Sequence, residues 1–437
     1  MSIRTTFALL TGRVTKRFLT TFTGGGSSLP GKIALKISPN ILEDVSKHYD
    51  VIIITGTNGK TLTTRLITNI FKKKYNTIVS NIQGSNMIQG ITGAFIDNKN
   101  RTDEKKFAIL EVDEGTLNKV VEDLNPKYII HTNLFLDQAD RYGDVTKTYE
   151  LLVNAAKKVP DAILLQNGDL PLFNTVELPN KRKFFGVDTP VHPPKSQHYC
   201  PKCGGTLSYK TYTYSGQGNY YCKSGNFKRP VLDYKVTDII KLSEESSTFR
   251  MDDATFKIPV AGLYNVYNAL AAYSVAKEYD INNDDIKAAL LETERVFGRQ
   301  ERINIYGHTA TLNVVKNPVG LNQVLTLIEA VEEPMTLVAL LNNRPADGID
   351  VSWLRDGNFE SLLSQNITTI KTGGISKEVM TERLVEAGFN PHIIKEYDDL
   401  EKIVEDLKHA STDNIQIIAS YTAMLEFRKV LKDKKII

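Results

Sequence analysis

The stretch "VIIITGTNGKTLTTR", residues 51–65, restricts the fold more than any other part of the chain. A short apolar run reads as a buried strand, and the turn after it opens directly into a helical pattern beginning at Lys60-Thr61. The usual phosphate-binding loop has four residues between its first Gly and Gly-Lys-Ser/Thr. Here Gly56 is followed only by Thr57 and Asn58 before Gly59-Lys60-Thr61. Backbone N–H groups at a helix N-terminus, with a Lys and a hydroxyl, suit a polyphosphate and its magnesium ion. Lys60 is therefore expected in a solvent-facing loop against the terminal phosphates, and Thr61 on the metal. The bland alternative is an Asn-Gly turn with no ligand.

From residue 51 the strand–loop–helix order repeats. "FAILEVDE" (107–114), "YIIHTN" (128–133) and "AILLQNGD" (162–169) read as strands, with helices over 61–73, 116–124 and 146–157. Apolar strands alternating with helices imply a parallel sheet covered on both faces. The pattern breaks near residue 190 at a Tyr-, Gly-, Lys- and Cys-rich segment, expected as a small β insertion over 196–230. Regular structure returns with a short strand and an apolar helix at "FKIPVAGLYNVYNALAAYSVAKEY". A second α/β unit follows, with strands "ATLNVV", "MTLVALLN", "ITTIKTGG" and "NIQIIAS", and "ERVFGRQER" (294–302) as the hinge. The expected domains are an N-terminal helix and linker over 1–45, a central nucleotide-binding domain over 46–302, and a Rossmann-like C-terminal domain over 303–437. No fixed-period repeat is present.

Composition narrows the function. With 54 basic and 51 acidic residues in 437, the net charge of +3 argues against a dedicated nucleic-acid binder. No run of 18 apolar residues predicts a membrane-spanning helix. Residues 1–22 read as a basic amphipathic helix with Phe7, Leu9, Leu10, Val14, Phe18 and Leu19 roughly on one side. That helix either packs on its own domain or meets an anionic membrane surface. Cys200, Cys203 and Cys222, clustered in a chain without an export signal, suggest a metal site or its remnant rather than disulfides, and a cytosolic compartment.

Carboxylates stand where a ligand of an open parallel sheet sits, outside the strand ends. Glu111, Asp113 and Glu114 follow "FAIL"; Glu111 suits magnesium, and Asp113 or Glu114 suits a helix cap. Asp137 and Asp140, in "HTNLFLDQADRYGD", are candidates for a wall of the site.

"GTNGKT" resembles the short phosphate loop of the Mur ligase family. "ILEVDEG", "TNLFLDQADRYGD", "NGD", "YNVYNALAA", "FGRQE" and "KNP" follow in that family's order. The resemblance implies ATP-dependent joining of an amine to a carboxylate through an acyl-phosphate. It gives phosphate contacts to Gly56, Thr57, Asn58, Gly59, Lys60 and Thr61, and magnesium to Thr61 and Glu111. Asn268 is expected near the nucleotide base, Arg299 near the phosphates, and Lys316 and Asn317 where most members carry His-Asn.

Three features resemble the branch of the family that amidates a lipid-linked precursor. No substrate domain precedes the loop, a Cys-rich ribbon interrupts the central domain, and "ADGIDVSWLRD" lies in the C-terminal domain. That branch implies amidation of the α-carboxylate of D-glutamate in lipid II, beside a GatD-like glutamine amidotransferase subunit, in the cytoplasm or peripherally at the inner face of the membrane. Asp350 would lend its acid to the partner's Cys–His pair, with Asp347 as the other candidate and a helix cap as the bland role. Competing readings are a stand-alone amide ligase resembling folylpolyglutamate synthase, and a nucleotide-binding scaffold without catalysis.

The chain departs from the pattern in several places. Leu136 stands where that branch tends to carry Arg, Gln138 where many Mur ligases have a metal-binding His, and Arg344-Pro345 is an unexpected pair. The ribbon offers Cys200, Cys203 and Cys222, but Ser224 and Gly225 occupy the place of a fourth Cys. Structural zinc usually takes four protein ligands. The readings left open are zinc with His198 completing the set, and a metal-free hairpin.

Overall fold

A computed structural model describes residues 2–23, 28–82, 85–96, 105–136, 144–189, 197–243, 245–293 and 298–437. Asp137, Gln138 and Asp140 lie outside the described residues, as does part of the hinge.

Three helices come first: α1 (Ile3–Thr23), α2 (Leu29–Ile37) and α3 (Ile41–Ser46). The stretch "TGGGSSLPGK", residues 23–32, reads from its Gly, Ser and Pro content as a turn-rich break within the expected linker. Instead α2 begins at Leu29 with Pro30 in its first turn, where a missing N–H costs nothing. Gly31 lets α2 press onto α5 (Ile88–Ile96), since a Cβ there would stand 1.8 Å from the Gln89 carbonyl oxygen. Helix α1 buries Ala8 and Leu9 and keeps Phe7, Leu10, Val14 and Phe18 exposed, so Leu9 belongs to the opposite face from that expected.

The central sheet has nine strands: β1 (Asp50–Thr55), β2 (Thr77–Ser80), β3 (Lys106–Glu111), β4 (Tyr128–His131), β5 (Ile163–Asn167), β6 (Arg182–Val187), β10 (Tyr234–Leu242), β11 (Ser247–Met251) and β12 (Ala254–Ile258). Their spatial order is β12-β11-β10-β6-β5-β4-β1-β3-β2. From β2 to β10 all pairs are parallel; β11 and β12 add an antiparallel edge. The apolar runs of β1 and β3 are buried along nearly their whole length because helices cover both faces. Helices α4 (Lys60–Lys72), α6 (Glu114–Leu124), α7 (Val145–Lys158), α8 (Leu263–Glu278) and α9 (Asn283–Leu291) belong to this unit. The predicted helix at 61–73 and strand at 128–133 differ from the observed elements by one or two residues.

Within the insertion, β7 (Leu207–Tyr212), β8 (Gly218–Cys222) and β9 (Phe227–Lys228) form an antiparallel ribbon around Cys200, Leu207, Tyr220, Cys222 and Phe227. Asp169, in the "NGD" turn, ties it down: its buried carboxylate pairs with Arg229 at 3.0 Å and accepts from Tyr267 Oη at 2.7 Å.

The C-terminal sheet runs β13 (Glu301–Ile305), β14 (His308–Val314), β18 (Asn414–Ala419), β15 (Met335–Leu340), β16 (Ile367–Gly373), β17 (Ile394–Glu396) in space. All its pairs are parallel except β13 with β14. Separate apolar clusters centred on Leu321, Leu337 and Phe359 and on Leu312, Ile417 and Phe427 cover it. Helix α10 (Pro318–Glu329) follows β14.

Candidate functional site

Strand β1 lies between β3 and β4, so the chain leaves it on both sides, the place where open α/β sheets bind ligands. Register brings Ile54 beside Glu111 and Ile130, and Thr55 beside His131. The loop Gly56–Gly59 leaves this edge and enters α4. Gly59 caps α4 at φ +84°, a left-handed conformation, and a Cβ there would stand 2.1 Å from Asn268 Oδ1. Only glycine satisfies both constraints.

The strand-end segment after β4 clamps the loop. Thr57 donates its N–H to the Asn133 carbonyl at 3.0 Å, and Asn58 donates to Asn133 Oδ1 at 2.8 Å. Asn133 Nδ2 and Thr132 Oγ1 both donate to the Asn58 carbonyl, at 2.9 and 3.1 Å. Thr57 Oγ1 accepts from the Phe135 N–H at 3.0 Å.

Lys60 corrects the expectation of a solvent-facing side chain: it is buried. Its Nζ donates to the Gly56 carbonyl at 2.5 Å and pairs with Glu114 Oε1 at 3.1 Å. Burial alone would lower its pKa, but the Glu114, Glu111 and Asp113 carboxylates outweigh burial and hold it above the ordinary lysine value. The ammonium is thus fixed in place before any anion arrives. Thr61, in the first turn of α4, is partly exposed.

The three acids at the end of β3 and just past it separate by role. Asp113 caps α6 by accepting from the Gly115 N–H at 3.2 Å. Glu114 pairs with Lys60. Glu111 is buried, with Oε1 accepting from Asn86 Nδ2 at 3.1 Å and Oε2 buried without a partner. Asn81 brackets the Glu111 backbone, accepting its N–H and donating to its carbonyl, both at 2.8 Å. A buried carboxylate oxygen left unmatched at the sheet edge fits magnesium, which takes oxygen ligands and needs only one or two of them from protein carboxylates.

The remaining residues sort as follows. Asn268 is buried and accepts from Thr63 Oγ1 at 3.3 Å, so it lies against the loop itself. Arg299 neighbours Tyr264: burial pushes that phenol's pKa up, and Gln300 and Arg299 pull against it. Asn317 caps α10, accepting from the Gly320 N–H at 2.8 Å, and its Nδ2 donates to Asn58 Oδ1 at 3.1 Å. That contact joins the C-terminal unit to the phosphate loop.

A cleft of about 90 Å³ is lined by Leu136, Lys316, Asn317, Asp350 and Trp353, among others. Asp350 is exposed there and accepts from the Ser352 N–H and Oγ at 2.8 and 2.9 Å; these bonds lower its pKa. Asp347 is buried and accepts from the Thr422 N–H at 2.7 Å, which ties its loop to the last helix. Arg344 pairs with Glu426 in that helix at 2.6 Å.

In the ribbon the three thiol sulfurs lie within 4.8 Å of one another, Cys203 and Cys222 at 3.5 Å. They offer three corners of a tetrahedral zinc site. His198, considered as a fourth ligand, is not among them: its ring stacks on Tyr212 with centroids 5.7 Å apart. Gly225 borders this cluster: a Cβ there would stand 3.2 Å from Cys203 Sγ and 3.9 Å from Cys222 Sγ.

Sequence reasoning missed Glu114 as the partner of Lys60, Asn81 and Asn86 around Glu111, and Asn133 beneath the loop. A faint signal existed for two of them: Asn81 and Asn133 are short polar residues within two positions of the ends of β2 and β4.

A nine-stranded sheet with this loop at its switch point, docked through Asn58–Asn317 to a second α/β unit, is the architecture of an ATP-dependent ligase of the Mur ligase class. The Mur ligase middle domain matches residues 54–189, and the MurT ligase C-terminal domain matches residues 314–424. The chain is 39% identical over 443 residues, covering 100% of itself and 99% of the relative, to the lipid II isoglutaminyl synthase (glutamine-hydrolyzing) subunit MurT of Streptococcus pneumoniae. It is 34% identical over 387 residues to the subunit of the same name from Staphylococcus aureus, covering 85% of this chain and 86% of that one. Among solved structures, a pseudomurein peptide ligase type C from Methanothermus fervidus matches with TM-score 0.68 at 18% identity, over 91% of this chain and 81% of that one. Folylpolyglutamate synthase from Thermotoga maritima matches with TM-score 0.57 at 13% identity, over 98% of both chains. These likenesses establish the shared fold. The chain belongs to the MurT family.

Proposed function

We propose that this chain is the ligase subunit of a lipid II isoglutaminyl synthase. It would use ATP to convert the α-carboxylate of D-glutamate in the stem peptide to the amide, giving D-isoglutamine. The observation that carries the reading is the pairing of a preset buried cation, Lys60, with an unmatched buried Glu111 oxygen at the loop end of β1 and β3.

A carboxylate is a poor electrophile, so the reaction divides in two. The carboxylate oxygen attacks the γ-phosphorus of ATP, the bond to the bridging oxygen breaks, and ADP leaves. Ammonia then attacks the carbonyl carbon of the acyl phosphate, the C–O bond to phosphate breaks, and the amide forms with loss of a proton. Loop N–H groups at the start of α4 and Lys60 would offset charge on the transferring phosphoryl group. Thr61 and Glu111 would hold magnesium, which supplies further neutralisation of that charge. Lys316, Asn317, Asn268 and Arg299 would border the nucleotide. In the ribbon, Cys200, Cys203 and Cys222 would hold zinc, with the fourth corner left to a non-protein ligand.

Ammonia would come from a GatD-like glutaminase partner, because the three cysteines of this chain all lie in the ribbon. Asp350, exposed at the mouth of a cleft that also holds Lys316 and Asn317, is the acid we assign to orienting the partner's histidine. The test is Asp350→Asn in the two-subunit complex. Glutamine-dependent amidation and glutamine hydrolysis are expected to fall at least a hundredfold, on the order seen when a triad acid is removed. Ammonia-dependent amidation and complex formation are expected to survive. Equal loss of the ammonia-dependent rate would assign Asp350 to the ligase site. No change in either rate would reduce it to the cap of the turn at Ser352.

A further inference from the structure

The two sides of α1 differ sharply. Thr5, Ala8, Leu9 and Gly12 are buried against the domain. Ile3, Phe7, Leu10, Val14 and Phe18 are 91, 64, 57, 63 and 60% exposed. At 100° per residue, those five project within an arc of about 80°, and the buried four lie opposite. This is one continuous apolar stripe, unlike the scattered exposed apolar residues of ordinary surfaces. Arg17 and Arg4 flank it, one beyond each edge of the arc, and both are exposed.

Charge reinforces the pattern. Residues 1–42 contain Arg4, Arg13, Lys16, Arg17, Lys32 and Lys36 and no acid, a net +6. The whole chain is +3, which leaves −3 for residues 43–437. Lys32 and Lys36 on α2, the neighbour of α1, are exposed. Position matters as well. Helix α1 packs on α2 and α5, and the turn entering α5 supplies Asn86, the donor to Glu111. The stripe therefore lies on the helical layer that borders the candidate ligase site.

We propose that α1 is a membrane-docking face: it lies in the surface of an anionic bilayer, with Ile3, Phe7, Leu10, Val14 and Phe18 entering the acyl boundary and the basic residues meeting lipid headgroups. An apolar face with a basic surround and no spanning length is the pattern of a helix lying in the plane of the interface. The proposal rests on the lipid-linked substrate of the proposed function, since a docked α1 would hold the site beside a carboxylate tethered to the bilayer.

The experiment pellets the full chain, with its partner subunit, on vesicles of equal phosphatidylglycerol and phosphatidylcholine, and on phosphatidylcholine alone. Binding is expected on the anionic vesicles, weakening in 0.5 M salt. Leu10→Ser/Val14→Ser is expected to weaken it at least about tenfold, the scale of one lost apolar side chain. Circular dichroism is expected to be unchanged, since both side chains are exposed. Arg4→Ala/Arg17→Ala is expected to remove most of the preference for anionic vesicles. A wild-type chain that stays in the supernatant overturns the proposal, as does a Ser variant that binds as tightly as wild type. A change in oligomeric state on Leu10→Ser/Val14→Ser without vesicle binding also overturns it, and gives the face to a protein contact. Amidation of the lipid-linked acceptor in detergent micelles separates the two readings. Activity in micelles without vesicle binding removes the docking face alone. Vesicle binding without any amidation removes the ligase reading and leaves the face standing.

Discussion

The phosphate loop and the cysteine ribbon are both short turns that gather groups around a space, yet they are finished to different degrees. At the loop, Thr57, Asn58 and Gly59 have backbone or side-chain partners, and the cation Lys60 is matched by Glu114. Among the described residues Glu111 Oε2 is buried there without a partner, as are Thr55 Oγ1, Thr64 Oγ1 and His131 Nε2, and of these only Glu111 carries an acid. At the ribbon, three sulfurs converge, no fourth ligand joins them among the described residues, and Gly225 beside them has no side chain. The difference follows from what each turn uses. Backbone N–H groups come with any sequence that can make the turn, so a loop needs a few glycines in the right places. A zinc knuckle uses side chains alone, so one substitution removes a quarter of the site.

The sharpest way to break this comparison is Lys60→Ala. Loss of a charge contact at the transferring phosphoryl group is expected to reduce amidation by about a hundredfold or more. The buried position adds a second effect. Glu114 would be left buried and unpaired, which costs about 3–5 kcal/mol. A urea denaturation curve should therefore shift as well. Lys60→Ala combined with Glu114→Gln is expected to recover much of the stability and none of the rate. Recovery of both would mean that Lys60 is a structural counter-ion with no part in the chemistry.

This pairing also marks the limit of what the sequence disclosed. The fold was legible because β1, β3, β4 and β5 are short apolar runs separated by amphipathic helices, a pattern set by burial on both faces. Strands β10 and β11 were not read, since only some of their residues are buried and the alternation is broken by bulges. Helix α2 was hidden by Gly31 and Pro30, which usually mark turns; here one allows a close helix contact and the other sits in the first turn. At the site, the position of "GTNGKT" between a strand and a helix and of Glu111 at the end of β3 could be read, because both follow from local sequence. The burial of Lys60 could not, because it depends on Glu114, 54 positions away and on another strand's exit. His198 misled for the converse reason: it is near Cys200 in sequence, but its ring is committed to Tyr209 and Tyr212.

A smaller effect tests whether the loop end of the sheet owes its order to burial. His131, paired in register with Thr55, is fully enclosed, with Nδ1 2.8 Å from Gln166 Nε2 and its other nitrogen unpartnered. Burial first, then the Arg182 charge, pushes its pKa down to about 3. Between about pH 6.5 and 3 the unfolded chain therefore binds more protons at this residue than the folded one, and stability falls as pH falls. From pH 7.5 to 5 the loss is ~2 kcal/mol at 1.36 kcal/mol per unit. Urea midpoints measured across that range should show it, and His131→Gln should flatten the slope. An unchanged slope would place the acid sensitivity elsewhere.

The ribbon offers the constructive test, Gly225→Cys. Gly225 does not adopt a left-handed backbone, so a side chain there carries no conformational strain. The added Cβ would stand 3.2 Å from Cys203 Sγ, closer than ordinary contact, so Cys203 must yield by a few tenths of an ångström. Cys203 is exposed, unlike Cys200 and Cys222, and has room to do so. The new thiolate would supply the missing corner of a tetrahedral site. With three thiolates, the wild-type chain purified without chelator and then dialysed against one is expected to hold less than one equivalent of zinc by elemental analysis. The variant is expected to approach a full equivalent and to release it at least about tenfold more slowly, since ligand number and geometry govern such sites. The catalytic rate with ammonia should not change, because the substitution is in the ribbon, away from Lys60 and Glu111. A full, chelator-resistant equivalent in the wild type would mean that the open corner is closed by another group, and the contrast between a finished loop and an unfinished ribbon would fail.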